Sequence, residues 1–356
     1  MPTVIRRGGI PVWETGILLE RKSLMAKFYY GGQAVMEGVM MRGRTSAAVA
    51  MRRANGSIYL YEEALNPSLY QNRLFRLPFV RGMLLLWEML VLGMRLMTLS
   101  ANVATGAIDP DAPPPDSAEA GANSAPGEEV ERPPEIGGVG LILILLVSMS
   151  FAVAIFFLGP LLITGLLHNF IGQGWLNLTL EGLIRLGLLV GYLYLTGLLP
   201  DIQRIYGYHG AEHKAINAME QGDPLDVPHV RRASRLHTRC GTGFLLIVAV
   251  VSIFVFALVG SPSLLIKIIS RIVLVPVIAG IAYELMRLGA ANYRFRAVRW
   301  LLAPGLALQG LTTREPDDSM LECAIAALKR VMQRDKSRDS GRAEADPALP
   351  PLVMSR

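Results

Sequence analysis

Four apolar runs constrain this chain more than any other feature: roughly Val139 to Leu162, Leu183 to Leu199, Gly243 to Val259 and Leu264 to Met286. Each approaches the ~20 residues an α-helix needs to cross the hydrocarbon core of a bilayer. Backbone groups in that medium must find partners within their own segment, so runs of this kind have to be helices. The second and third are short for a span, and Pro276 is expected to kink the fourth. An apolar share of 52% over 356 residues agrees, being high for a soluble domain of this length.

Basic residues orient the runs. The connection from Leu161 to Gly182 has no Lys or Arg, whereas that from Pro200 to Thr242 carries Arg204, Lys214, Arg231, Arg232, Arg235 and Arg239. By the positive-inside rule the second connection lies in the cytoplasm, and four spans then put both termini there as well. The net charge of +6 fits such a lipid-facing surface and gives no reason to expect nucleic acid. Arg6 and Arg7 are followed too soon by Glu14 and Glu20 for a cleaved signal peptide. Two cysteines, Cys240 and Cys323, make no disulfide framework.

The basic connection contains Tyr208-His209-Gly210-Ala211-Glu212-His213-Lys214. On a helix His209, Glu212 and His213 share one face, in the inverted zincin order H-x-x-E-H. Two neutral imidazoles in that pattern hold Zn²⁺, and the glutamate acts as the general base. The alternative is that both histidines only satisfy hydrogen bonds on a polar helix. Gly210 weakens the helix by about 1 kcal/mol, while Gly222-Asp223-Pro224 is a stop signal. A catalytic zinc needs a third protein ligand. His237 and Glu284 are equal candidates and Cys240 follows them; Arg287, three residues on, could pair with Glu284 and explain it structurally.

The remaining organisation is read from composition and turn chemistry. Residues 1–27 form a loosely ordered arm, and 28–77 a glycine-rich cytoplasmic region in which Asn55-Gly56 marks a β-hairpin. Glu37 is the one carboxylate of the glycine-rich stretch, which is either strand and turn structure or a loop closing over the histidines. Residues 78–103 are apolar, but Arg81, Glu88 and Arg95 recur every seven residues along one stripe, so an interfacial or re-entrant helix is expected; a fifth span with its stripe on a cavity is the competing reading. Residues 104–138 are a proline-rich linker, 139–199 and 243–286 two transmembrane hairpins, and 200–242 the loop with the histidine motif. In 287–335, Arg294, Arg296, Arg299 and Trp300 point to a headgroup anchor, and Ser319 with Glu322 to a capping box that opens a docked helix. Residues 336–356 are expected to be a disordered tail. The fold class is therefore an α-helical multi-pass membrane protein with a small α+β cytoplasmic part.

Four blocks in order carry a resemblance: GGQAVMEGVMMR at Gly31 to Arg42, YHGAEHK at Tyr208 to Lys214, HTRCGT at His237 to Thr242, and Pro304-Gly305 with LTTREP at Leu311 to Pro316. Together they resemble the YqhQ-like family of bacterial membrane proteins, a group of unknown function labelled as a predicted metal-dependent enzyme. The resemblance implies a multi-pass protein of the bacterial cell membrane with a metal and names no reaction. Two functions follow as expectations. One is a zinc-dependent hydrolase at the cytoplasmic membrane surface, with Glu212 as base and its metal held by His209 and His213 plus one of His237, Glu284 or Cys240. The other is a non-catalytic scaffold or assembly factor that binds a membrane-protein partner. Membrane lipids are partners in either, and the oligomeric state stays open.

Overall fold

The computed structural model describes residues 30–65, 77–106, 138–167, 174–260, 263–339 and 352–354. The expected arm, the linker from 107 to 137 and the tail from 340 to 351 lie outside the described residues.

The glycine-rich region is a sheet. Strands β1 (Gly31–Val35), β2 (Gly38–Arg42), β3 (Ser46–Arg52) and β4 (Ile58–Ala64) form an antiparallel meander, and a short β5 (Leu352–Met354) pairs with β4. The β1–β2 turn is Met36-Glu37, closed by the Val35–Gly38 pair, with Glu37 at φ 54°. The β3–β4 turn falls at Asn55-Gly56, as its sequence requires, with Gly56 at φ 83°.

Both faces of the sheet are covered. Helix α1 (Val80–Ala104) packs Leu92, Leu96 and Val103 against Val35, Met40, Val49 and Met51 on one face. Each charge of its stripe has a partner: Arg42 of β2 reaches Glu88 at 3.0 Å and Glu63 of β4 pairs with Arg95, while Arg81 Nε lies 2.8 Å from Glu284, outside the sheet. On the other face lie helices α5 (Pro200–Gln221) and α10 (Asp318–Asp339). Leu321, Ala324, Ile325 and Leu328 of α10 are buried, while Arg52–Glu322 at 2.8 Å and Arg330–Glu62 at 2.6 Å tie it to β3 and β4. The expected capping box gives way to Asp317, whose carboxylate accepts the Met320 N–H at 2.9 Å; Glu322 is drawn off by Arg52. Helix α10 also runs to Asp339, into the segment expected to be disordered.

The helical part begins with α2 (Gly138–Val153), which passes through a π-helical turn (Ala154–Leu158) into α3 (Gly159–Leu166). Then come α4 (Trp175–Thr196), α5, the short α6 (Val227–Arg232), α7 (Gly241–Val259), α8 (Leu264–Ala291), which continues through Pro276, and α9 (Arg296–Thr312). Among the described residues five helical stretches are long and apolar enough to cross a membrane: α1, Ile142–Leu166, Leu176–Thr196, α7 and α8. The chain is thus an α-helical multi-pass membrane protein with a small α+β part, and α1 adds one apolar helix to the four runs counted in the sequence.

Candidate metal centre

Helix α5 starts with Pro200 in its first turn and Asp201 beside it, and ends on Gly222 in the left-handed conformation with φ 81°. Between them His209, Glu212 and His213 share a face. Gly210, the weak helix former of the motif, sits where a Cβ would lie 2.1 Å from the Arg314 carbonyl oxygen, so the strand-like segment after α9 can cross α5 only over a glycine. That crossing serves the site, because it brings the Thr312 carbonyl to His209.

Each imidazole is held through Nδ1. His209 Nδ1 lies 2.8 Å from the Thr312 carbonyl oxygen, and His213 Nδ1 hydrogen-bonds the Arg235 carbonyl. A carbonyl can only accept, so Nδ1 carries a hydrogen in both rings, and it is the Nδ1–H tautomer of a neutral ring that offers an Nε2 lone pair to a metal. The rings stand 4.4 Å apart, centroid to centroid. Cys240 Sγ is 3.3 Å from His209 Nε2, where the thiol can donate to that lone pair, and the donor atoms of His209, His213 and Cys240 all fall within 4.8 Å of one another.

Cys240 arrives there because α5 grips the connection that follows it. Lys214 Nζ donates to the Arg231 carbonyl at 2.7 Å, and Asn217 donates to the carbonyls of Ser234 at 2.7 Å and Leu236 at 2.9 Å. The sulfur then caps α7, accepting the Thr242 N–H at 3.4 Å. The Thr242 and Thr312 hydroxyls, 2.9 Å apart, fix the end of α9 to the start of α7.

Glu212 is buried beside the cluster, with its carboxylate 3.9 Å from His209 Nε2. Burial pushes its pKa up, while His209 and the hydrogen bond from the Gly32 N–H pull it down. Gly32 leaves room for this carboxylate: a Cβ there would stand 2.9 Å from Glu212 Cγ and 2.5 Å from the Met40 carbonyl oxygen. Neither the Gly32 amide nor the Thr312 and Arg235 carbonyls were singled out from the sequence. Backbone contacts leave no signal in side-chain spacing, although the glycine-rich stretch at Gly31 to Gly43 marks where close approach occurs.

His237 lies next to the cluster, its ring 5.6 Å from that of His213. Its backbone is clamped by Gln309, with contacts of 3.0 and 2.8 Å, and its Nε2 is 3.2 Å from the Arg239 guanidinium. Burial first, then Arg239, lowers its pKa to about 3, so it is a neutral ring whose Nε2 accepts from Arg239. Glu284 is placed elsewhere: it accepts from Arg81 at 2.8 Å and from the Phe79 N–H at 3.4 Å, and Arg287 stands 3.8 Å away. Of the three candidates for a third ligand, the structure brings Cys240 to the two imidazoles, sets His237 beside them and keeps Glu284 with α1.

Two imidazole Nε2 atoms fixed from behind and one cysteine sulfur form a donor set that fits a borderline-soft divalent metal such as Zn²⁺. The hydrogen bond behind each ring is the second-shell support that metal-binding histidines need.

Fold and site together define a multi-pass helical membrane protein that carries a His-His-Cys cluster where its sheet-bearing part meets its apolar helices. The chain belongs to the family described as Protein of unknown function (DUF1385), whose model matches residues 77–334. It is 34% identical over 311 residues to the uncharacterized protein YqhQ of Bacillus subtilis (strain 168), an alignment spanning 85% of this chain and 92% of that protein. No solved structure matches.

Proposed function

We propose that the protein is a membrane-integral, zinc-dependent hydrolase with its site on the cytoplasmic face. One observation carries the reading: Cys240 Sγ lies 3.3 Å from His209 Nε2, a ring nitrogen of His213 falls within 4.8 Å of both, and the buried carboxylate of Glu212 stands against the same cluster. His209, His213 and Cys240 would hold the ion, which when bound supplies Lewis acidity. Glu212 is the group placed to take a proton from an attacking water and pass it to a leaving group. Gly32 holds that carboxylate in position, and Thr312 and Arg235 hold the rings. His237 stays a neutral neighbour.

In this reading α1 does not cross the bilayer, because its charged stripe is spent on the sheet and on Glu284; four helices cross and both termini are cytoplasmic. A cysteine placed at Asp226 should then be inaccessible to impermeant reagents added outside intact cells. Labelling there would put the site on the opposite face.

The burial of Glu212 and Cys240 favours a second reading, a structural metal in a non-catalytic scaffold that binds another membrane protein. Metal content and Glu212 separate the two. The purified protein should hold about one zinc per chain, and Glu212→Gln should keep the metal and abolish the cellular function. If Glu212→Gln keeps both, the site is structural.

A further inference from the structure

A second buried polar cluster lies within the apolar helices, away from the histidines. On α4, Glu181 and Arg185 are one turn apart and joined at 2.8 Å; Arg271 of α8 reaches both oxygens of the same carboxylate at 3.0 and 2.9 Å. Arg185 also donates to the Ser252 hydroxyl of α7 at 2.7 Å and to the Phe156 carbonyl of the π-helical turn at 2.9 Å. Ser252 is twelve residues beyond Cys240, so the two clusters are about 18 Å apart along α7 at ~1.5 Å per residue.

The charges do not balance. Two guanidiniums share one carboxylate, and the side chains of Arg185, Arg271 and Glu181 are 3%, 2% and 4% exposed. A lone positive charge in an apolar interior is costly, and ionisable groups inside membrane helices are kept for a use. The donors do not balance either: Arg271 Nε is buried and makes no hydrogen bond. The same polar stripe continues toward the end of the bundle. Lys267, one turn before Arg271, has no carboxylate partner among the described residues, and the buried Asn177 amide oxygen, one turn before Glu181, has no partner. An amide turned over there would offer its N–H₂ instead.

We infer that Arg185, Arg271 and Lys267 form an oxyanion site inside the bundle, and that its ligand is a phosphate group. A tetrahedral oxyanion accepts from a guanidinium edge and supplies the missing negative charge, whereas a neutral acceptor supplies only the hydrogen-bond partner. Glu181 bridges the two arginines and offsets their repulsion. The phosphate is that of a phospholipid headgroup or free in solution, and the chemistry of recognition is the same.

The two sources are separated with the full-length protein in a neutral, phospholipid-free detergent. One arm follows thermal unfolding in sodium phosphate against sodium chloride at matched ionic strength. The other follows retention of phosphatidylglycerol by native mass spectrometry. The wild type should respond in at least one arm, and Arg271→Met should respond at least fivefold more weakly. A response to phosphate alone assigns the free anion, and retention of lipid alone assigns the headgroup. Should Arg271→Met not fold, Lys267→Met takes its place, with binding expected to be severalfold weaker. No response of the wild type in either arm, or a variant that binds as the wild type does, overturns the site.

Discussion

The two buried polar clusters of this chain are opposite in construction. Around His209, His213 and Cys240 the converging groups are two imidazoles and a sulfur, with hydrogens held at the back of both rings. Around Arg185, Arg271 and Glu181 the converging groups are donors, and positive charge is in excess. The first arrangement asks for a metal ion and the second for an anion. In both, the sign of the missing partner follows from counting donors against acceptors in a place where water cannot make up the difference.

The largest effect should come from removing acceptors at the first cluster. His209→Ala and His213→Ala should each lose essentially all of the zinc, because two remaining ligands hold it poorly. Cys240→Ser should lose most of it, because a hydroxyl is a far weaker zinc ligand than a thiolate. Elemental analysis after dialysis gives the result. Equal zinc in the wild type and both alanine variants would end the comparison, because the lone pairs would then be structural.

At the second cluster the two directions of charge removal should be unequal. Glu181→Leu leaves two guanidiniums facing each other and should cost about 3–5 kcal/mol. Arg271→Met leaves one Arg185–Glu181 pair and should cost much less, within about 1 kcal/mol of wild type in phosphate-free buffer. Unfolding in detergent distinguishes them, and equal losses would mean that the excess charge has no energetic weight.

The sequence made these clusters legible to different degrees. His209, Glu212 and His213 could be placed on one face because their spacing is a property of a single helix. Cys240 could not be ranked first, because its position depends on Lys214 and Asn217 gripping the carbonyls of Arg231, Ser234 and Leu236, contacts that no periodicity records. Glu284 looked equivalent to His237 until α1 supplied Arg81. The second cluster went unread because Glu181 and Arg271 are single charges within or beside long apolar runs, and their meeting depends on how α4 and α8 pack. Their signal was present: an i, i+4 acid–base pair at Glu181 and Arg185, and a lone Arg271 in a span. The hairpin at Asn55-Gly56 and the stop at Gly222 were legible because turn chemistry is local. The stripe of Arg81, Glu88 and Arg95 was seen, but its partners Arg42 and Glu63 lie on the sheet.

Gly32→Ala tests whether Glu212 belongs functionally to the first cluster. The added Cβ would meet Glu212 Cγ and the Met40 carbonyl, and overpacking of this kind costs about 1–3 kcal/mol. Gly31→Ala, where nothing lies within 4 Å, is the control for backbone effects. The expected outcome is impaired cellular function with zinc retained in Gly32→Ala alone. A variant that retains full function would detach the carboxylate from the chemistry while leaving the ligands untouched.

The smallest effect concerns His237, the ring set beside the first cluster. Its pKa in the folded protein, about 3, lies below the ordinary 6.5, so the unfolded chain takes up the proton first as the pH falls. Its contribution to stability is therefore complete above about pH 6.5 and is lost as the pH descends toward 3. One proton limits the slope to about 1.4 kcal/mol per pH unit. Chemical unfolding of chelator-treated protein between pH 7.5 and 5 measures the slope without metal release. His237→Gln, which keeps a polar side chain and cannot ionise, should flatten the curve by up to one proton. An unchanged slope in that variant would mean that His237 is protonated in the fold.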